Sequence, residues 1–158
     1  MKFDHYLGNS LVALHRHPDQ LTQVVENPEI LPSVVAECLR YDASVQTAMR
    51  IALEDVEIEG ISIAQGDRIF PLLGGANRDP EKFESPDLLL IGRPSIRSFS
   101  FGAGIHHCLG MRLAVIELEV ALGTLFRRLP NMKVQGLDNL RWYQRNTMRG
   151  VESLNVVW

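Results

Sequence analysis

The sequence predicts a mainly α protein with small β-sheets, an α+β chain. Three observations predict it. Apolar residues recur at helical spacing near the N-terminus and over residues 109–129. Short alternating runs flank Gly60 and Gly66 in the middle of the chain. Residues 74–107 follow neither period and are punctuated by Gly, Pro, Asn and Asp, as a long connecting segment would be.

Taken in order, Leu7, Leu11 and Leu14 share one helical face. His17-Pro18 ends that helix, because a residue before proline disfavours helical geometry. Pro18 then opens a second helix through Gln20, Leu21 and Val24. Asn27-Pro28 punctuates again, and a third helix follows Pro32 with Val35, Leu39 and the cluster Glu37, Arg40 and Tyr41. Val56 and Ile58, then Ile61 and Ile63, read as strands joined at Gly60, and Ile69 to Leu73 reads as a buried strand. A strong helix is expected from about Cys108. Leu109, Leu113, Ile116 and Val120 form one stripe, and Leu118, Leu122, Leu125 and Leu129 a second, so it is expected to be mostly buried. Arg127 and Arg128 suit its negative end, and Pro130 stops it. The tail from Val134 to Trp158 reads as short strands.

Bulk composition narrows the class. A chain of 158 residues buries roughly 70% of its unfolded surface when compact. With 46% hydrophobic and 22% charged residues it has ordinary globular composition. A formal net charge of −3 argues against a nucleic-acid partner. No basic run suits a membrane surface, and no apolar window reaches the length of a bilayer span. His15, Arg16 and His17 break the N-terminal apolar stretch, so a signal peptide is not expected. Cys38 and Cys108 form no disulfide framework, and free thiols fit a reducing, cytoplasmic setting. Cys38 reads as a small core hydrophobe. With no repeat or linker, residues 1–158 are expected to form a single domain unit.

The chemistry concentrates at Phe101-Gly102-Ala103-Gly104-Ile105-His106-His107-Cys108-Leu109-Gly110. A cysteine at a helix N-terminus has its thiolate favoured by unpaired N–H groups and the dipole. Gly102 and Gly104 permit backbone geometry closed to other residues, so the loop can fold under the sulfur and aim N–H groups at it. Gly110 leaves space for a flat ligand near the backbone, and Phe101 shields the sulfur from water. Zinc is the competing reading for His106, His107 and Cys108. Consecutive residues rarely fill one tetrahedral shell, and no second Cys or His pair follows at the usual spacing. His15 and His17 are not read as metal ligands.

The spacing F-x-x-G-x-x-x-C-x-G, filled by Phe101, Gly104, Cys108 and Gly110 with His106 at its basic position, resembles the haem-binding signature of the cytochrome P450 family. Independent segments resemble the family as well. Glu37 to Gln46 resembles its K-helix with a buried Glu-Arg pair. Gly74 to Pro80 is similar to the turn after its central strand, and Arg149 to Val156 to its terminal hairpin. The resemblance runs from about Leu7 to Trp158 and implies the C-terminal part of the P450 fold, with the N-terminal and distal part absent. It implies haem b (iron protoporphyrin IX) as cofactor and Cys108 as the iron ligand. Arg50 and His106 are then propionate donors, Phe101 shields the sulfur, and Gly102, Gly104 and Gly110 shape the cofactor loop. Val45, Gln46 and Thr47 fall on the substrate side.

The implied activity is a haem-thiolate monooxygenase that inserts one oxygen atom from O2 into a small organic substrate. Its electrons come from NAD(P)H through a ferredoxin or flavoprotein. The alternatives are a truncated, non-catalytic remnant and a haem-binding sensor module. No residue is assigned the distal proton-delivery role; Asp4 and His5 are not given it. Helix faces that would meet the absent part are expected to be exposed, and to call for a partner or self-association. One local departure stands out. Family members usually carry an arginine after Pro-Asp in the meander, and here Leu88 follows Pro86-Asp87. The Glu37-Arg40 pair is therefore expected to lack its third partner unless Arg93 or Arg97 replaces it, and the run Leu88 to Ile91 must be buried or adhesive.

Overall fold

The computed structural model describes residues 3–94, 97–143 and 145–158. Residues 95 and 96 of the expected meander and residue 144 of the expected tail strands lie outside the described residues.

Helix α1 (Phe3–His15) is followed by α2 (Pro18–Glu26), a 3-10 turn at Pro28–Ile30, and α3 (Leu31–Tyr41). The prolines act as expected: Pro18 opens α2 and Pro32 lies in the first turn of α3, where a missing N–H costs nothing. The last long helix, α5 (Met111–Arg128), comes after a short α4 (Leu73–Ala76). Helix α3 packs against both α1 and α5, and α1 against α5. Their shared core holds Tyr6, Leu14, Val34, Val35, Leu39, Leu118 and Leu122, each at most 4% exposed. Burying a Leu or Val side chain to this degree stabilises by about 1.5–3 kcal/mol, so this three-helix contact dominates the fold.

Three small antiparallel sheets decorate it. β1 (Arg50–Ile51) pairs with β4 (Arg68–Ile69), β2 (Val56–Ile58) with β3 (Ile61–Ile63), and β5 (Lys133–Gln135) with β6 (Asn155–Val157). The β2–β3 hairpin turns at Glu59-Gly60, both at positive φ (51° and 78°). That is the handedness a two-residue hairpin turn requires. The bridge Val45–Met148 ties the tail back to the segment after α3, and the bridge Trp142–Val151 closes the tail on itself.

Two expectations are corrected. The strand expected over Ile69–Leu73 is only Arg68–Ile69, and Phe70 and Leu72 are exposed. Proline at 71 and the start of α4 at Leu73 end the pairing early. Helix α5 is buried on one face only. Ala114, Leu118, Leu122 and Phe126 point inward, whereas Leu113, Ile116 and Val120 are 61%, 56% and 62% exposed. The second stripe, at Leu118 and Leu122, is the one buried against the core, and the first faces outward. The run Leu88 to Ile91 resolves by alternation: Leu89 and Ile91 are buried, Leu88 and Leu90 exposed.

Candidate cofactor site

The cysteine loop is fixed at its start by a buried polar network. Asn77 accepts the Phe99 N–H at 2.6 Å and donates to the Ser100 hydroxyl at 2.9 Å. That hydroxyl donates to the Leu39 carbonyl of α3 at 2.6 Å, and the Tyr6 hydroxyl of α1 donates to the Ser100 carbonyl at 2.9 Å. Asn77, Ser100 and Tyr6 are all at most 1% exposed, and a buried polar group without a partner would cost about 1–3 kcal/mol. Sequence reasoning missed these three. Asn77 reads as a turn residue, and of the three only Ser100 adjoins the motif in sequence.

From there the loop folds as its glycines allow. Gly102 and Gly104 take positive φ, 71° and 64°, a region that costs an L-residue with a Cβ. The Gly102 N–H goes to the Phe99 carbonyl at 2.8 Å, that of His107 to Gly104 at 3.0 Å and that of Cys108 to Phe101 at 3.0 Å. These N–H groups therefore serve the loop rather than the sulfur, contrary to expectation. The expected helix start is also corrected. Gly110 is the N-cap and α5 begins at Met111, so Cys108 lies just before the helix and offers its carbonyl to the Met111 N–H at 3.3 Å. Gly110 is where expected: a Cβ there would stand 3.9 Å from the Cys108 sulfur.

A cleft of about 380 Å³ brings together Arg50, Val45, Phe101, His106 and Cys108, with Gly102 in its wall. Its lining is mostly apolar, with the two basic residues contributed by β1 and by the loop. Phe101 is 7% exposed, while Ile105 and Leu109 are fully exposed. Of the residues expected on the substrate side, Val45 lines this cleft. The Gln46 side chain binds the Ala43 carbonyl and Thr47 Oγ1 donates to the Pro71 carbonyl at 2.9 Å, so both serve the backbone.

Beneath the loop, Glu37 and Arg40 are fully buried. Arg40 grips the carboxylate with two donors, at 2.8 and 2.7 Å, and donates further to the carbonyls of Asn77, Pro86 and Leu88. The expected missing partner is present. Arg93 Nε stands 3.3 Å from Glu37 Oε2, with its side chain 7% exposed, while Arg97 is exposed. Leu88 contributes its carbonyl and turns its side chain outward.

The remaining titratable candidates are occupied elsewhere. His15 Nδ1 pairs with the Leu11 carbonyl and its Nε2 with Met132; His17 Nδ1 pairs with Ala13. Burial pushes the Cys38 thiol up to about 12, which keeps it a neutral core group.

Comparison with known proteins agrees with this arrangement. A family model described as Cytochrome P450 matches residues 11–141. The cytochrome P450 133B1 of Xylella fastidiosa is 55% identical over 150 residues, 95% of this chain and 37% of that protein. The biotin biosynthesis cytochrome P450 of Bacillus subtilis is 40% identical over 154 residues, 96% of this chain and 38% of that protein. The solved structure of the Bacillus subtilis bacillaene polyketide synthase cytochrome P450 PksS superposes with a TM-score of 0.94 at 38% identity, over 99% of this chain and 41% of that one. This chain thus spans under half the length of the relatives it matches. With the loop, the buried Glu37-Arg40-Arg93 cluster and these matches in agreement, the chain belongs to the cytochrome P450 family.

Proposed function

We propose that this chain forms the cysteine-ligand side of a haem-thiolate monooxygenase. The observation that carries the reading is the convergence of Cys108, Arg50 and His106 on one apolar cleft. The residues fit the group. A sulfur sits where glycine, not a larger residue, occupies position 110, and two basic side chains line the same cleft as the thiol, suited to two carboxylates. Cys108 would hold the iron of haem b, Arg50 and His106 its propionates, and the exposed Ile105 and Leu109 would lie against its apolar body. Gly102 and Gly104 shape the loop, and Phe101 keeps water from the sulfur. When bound, the haem supplies oxygen activation, by which one atom of O2 enters a small organic substrate, with electrons from NAD(P)H through a ferredoxin or flavoprotein.

The residues of this chain account for half of such a site. They bind the cofactor's carboxylates, fix the sulfur and exclude water on one side. The exposed stripe Leu113, Ile116 and Val120, with Leu7 lining a groove of about 670 Å³ beside Ile116 and Val120, suits contact with the further part of the fold that the longer relatives have. No helix among the described residues is long and apolar enough to cross a membrane. Residues 1–158 act as one unit of that larger fold.

Haem titration tests the reading, with the chain alone and with the portion of the Xylella relative that it does not cover. Saturation at one haem per chain is expected, weakened at least about tenfold by Arg50→Ala or His106→Ala, the scale of a charge-assisted hydrogen bond. Absence of uptake under both conditions would sink it.

A further inference from the structure

The cysteine loop touches α1 at one residue that the motif does not include. Tyr6 is 1% exposed, and its hydroxyl donates to the Ser100 carbonyl at 2.9 Å across 94 residues of sequence. Its ring lies against Phe101, with centroids 5.5 Å apart and planes inclined by 35°. Phe101 in turn accepts the Cys108 N–H at 3.0 Å through its carbonyl. So the two residues that Tyr6 touches are the last fixed point of the loop's entry and the acceptor that anchors the cysteine. Burial, and then the charge of Cys108, push the phenol above its ordinary value. Tyr6 therefore stays a neutral donor, and it lies within electrostatic range of the sulfur.

One turn further along α1, the Ser10 hydroxyl donates back to the Tyr6 carbonyl at 2.8 Å. The helix that carries Tyr6 is packed against both α3 and α5. A phenol on so firmly held an element is a fixed reference for a loop that has only short turns of its own. We infer that Tyr6 is a positioning residue for Cys108: through Ser100 and Phe101 it sets the orientation of the thiol and hence the persistence of thiolate ligation. The inference rests on the haem-thiolate reading for its second half only.

Two variants and two measurements test it. Tyr6→Phe deletes the hydroxyl and keeps the ring; Tyr6→Leu deletes both. In the full chain without haem, the Cys108 amide should exchange with solvent about tenfold faster in Tyr6→Phe, the scale of one buried hydrogen bond. Amides at the centre of α3 should keep their rates. Unchanged exchange at Cys108, or acceleration spread equally over α3, overturns the inference, since the latter is global loosening. In the haem-loaded chain, the ferrous carbonyl of Tyr6→Phe should lose its thiolate-type Soret band several-fold faster than the parent, and that of Tyr6→Leu faster still. Equal persistence in parent and Tyr6→Phe also overturns it. Failure of the parent to take up haem would count against the cofactor reading, and the exchange experiment would still decide the role of Tyr6.

Discussion

Arg93 reaches the Glu37 carboxylate, with its Nε 3.3 Å from Oε2 and 3.4 Å from Oε1, and so completes a buried cluster that the sequence around Leu88 leaves open. Glu37 also accepts the Leu90 N–H at 2.9 Å, so one carboxylate ties α3 to both the side chain and the backbone of the meander. A buried carboxylate is tolerable only when its oxygens are occupied in this way.

The first prediction follows from that cluster. Glu37→Gln leaves Arg40 as an uncompensated buried cation and should cost about 3–5 kcal/mol, read from the urea midpoint. Arg93→Ala should cost less, because Arg40 still holds both carboxylate oxygens. Arg97→Ala, at an exposed site, should stay within about 0.5 kcal/mol of the parent. Equal losses for Arg93→Ala and Arg97→Ala would contradict the assignment of Arg93.

A second prediction concerns Gly150. A Cβ built there would stand 2.6 Å from His5 Cγ, and the His5 ring is 2% exposed with 40° between its plane and that of Tyr143. Gly150→Ala should destabilise by about 1–3 kcal/mol, the range for overpacking. His5→Ala in the same chain should recover part of this loss in a double-mutant cycle. A purely additive cycle would show that the two positions do not press on each other.

Asp42 gives a pH-dependent prediction. Burial raises its carboxyl above the ordinary value, although Arg149, bonded to it at 2.7 Å, and the more distant Arg78 and Arg16 oppose the rise. The folded chain therefore holds this proton more tightly than the unfolded one. Its contribution is complete below the unfolded pKa, about 4, and is lost as pH rises through the folded value. Relative to Asp42→Asn, the parent should lose stability over that rise and be flat above it. Urea midpoints of both chains across the acid range measure this; a relative gain with rising pH would contradict it.

The exposed stripe of α5 supplies a fourth prediction. Ile116→Lys and Val120→Glu replace side chains that are 56% and 62% exposed, so the thermal midpoint of the chain alone should hardly move. Capture of the portion of a longer relative that this chain does not cover should weaken at least about tenfold. Retained capture would place the seat of that portion elsewhere.

How far the site is legible in the sequence depends on distance along the chain. The loop from Phe101 to Gly110 stands out because a cysteine, two glycines at positive φ and a phenylalanine are close neighbours in one segment. Arg93 is legible only as one of two candidates with Arg97, because its partner lies 56 residues away and the turns Ser85–Leu88 and Leu90–Arg93 bring it back. Asn77, Ser100 and Tyr6 are hidden for the same reason. The two apolar stripes of α5 are equivalent by spacing; packing of α1 and α3 on Leu118 and Leu122 alone selects which is buried. The helix start shifts from Cys108 to Met111 because Gly110 serves as the N-cap, a choice that spacing alone does not fix.

Iron ligation by Cys108 is read in the spectrum of the reduced, haem-loaded chain under carbon monoxide, for the parent, Cys108→Ser and Cys38→Ser. The parent and Cys38→Ser should both show the strongly red-shifted Soret band of a thiolate-ligated ferrous carbonyl, and Cys108→Ser should lose it. A red-shifted band that survives in Cys108→Ser, or that vanishes in Cys38→Ser with Cys108 intact, would rule out Cys108 as the ligand.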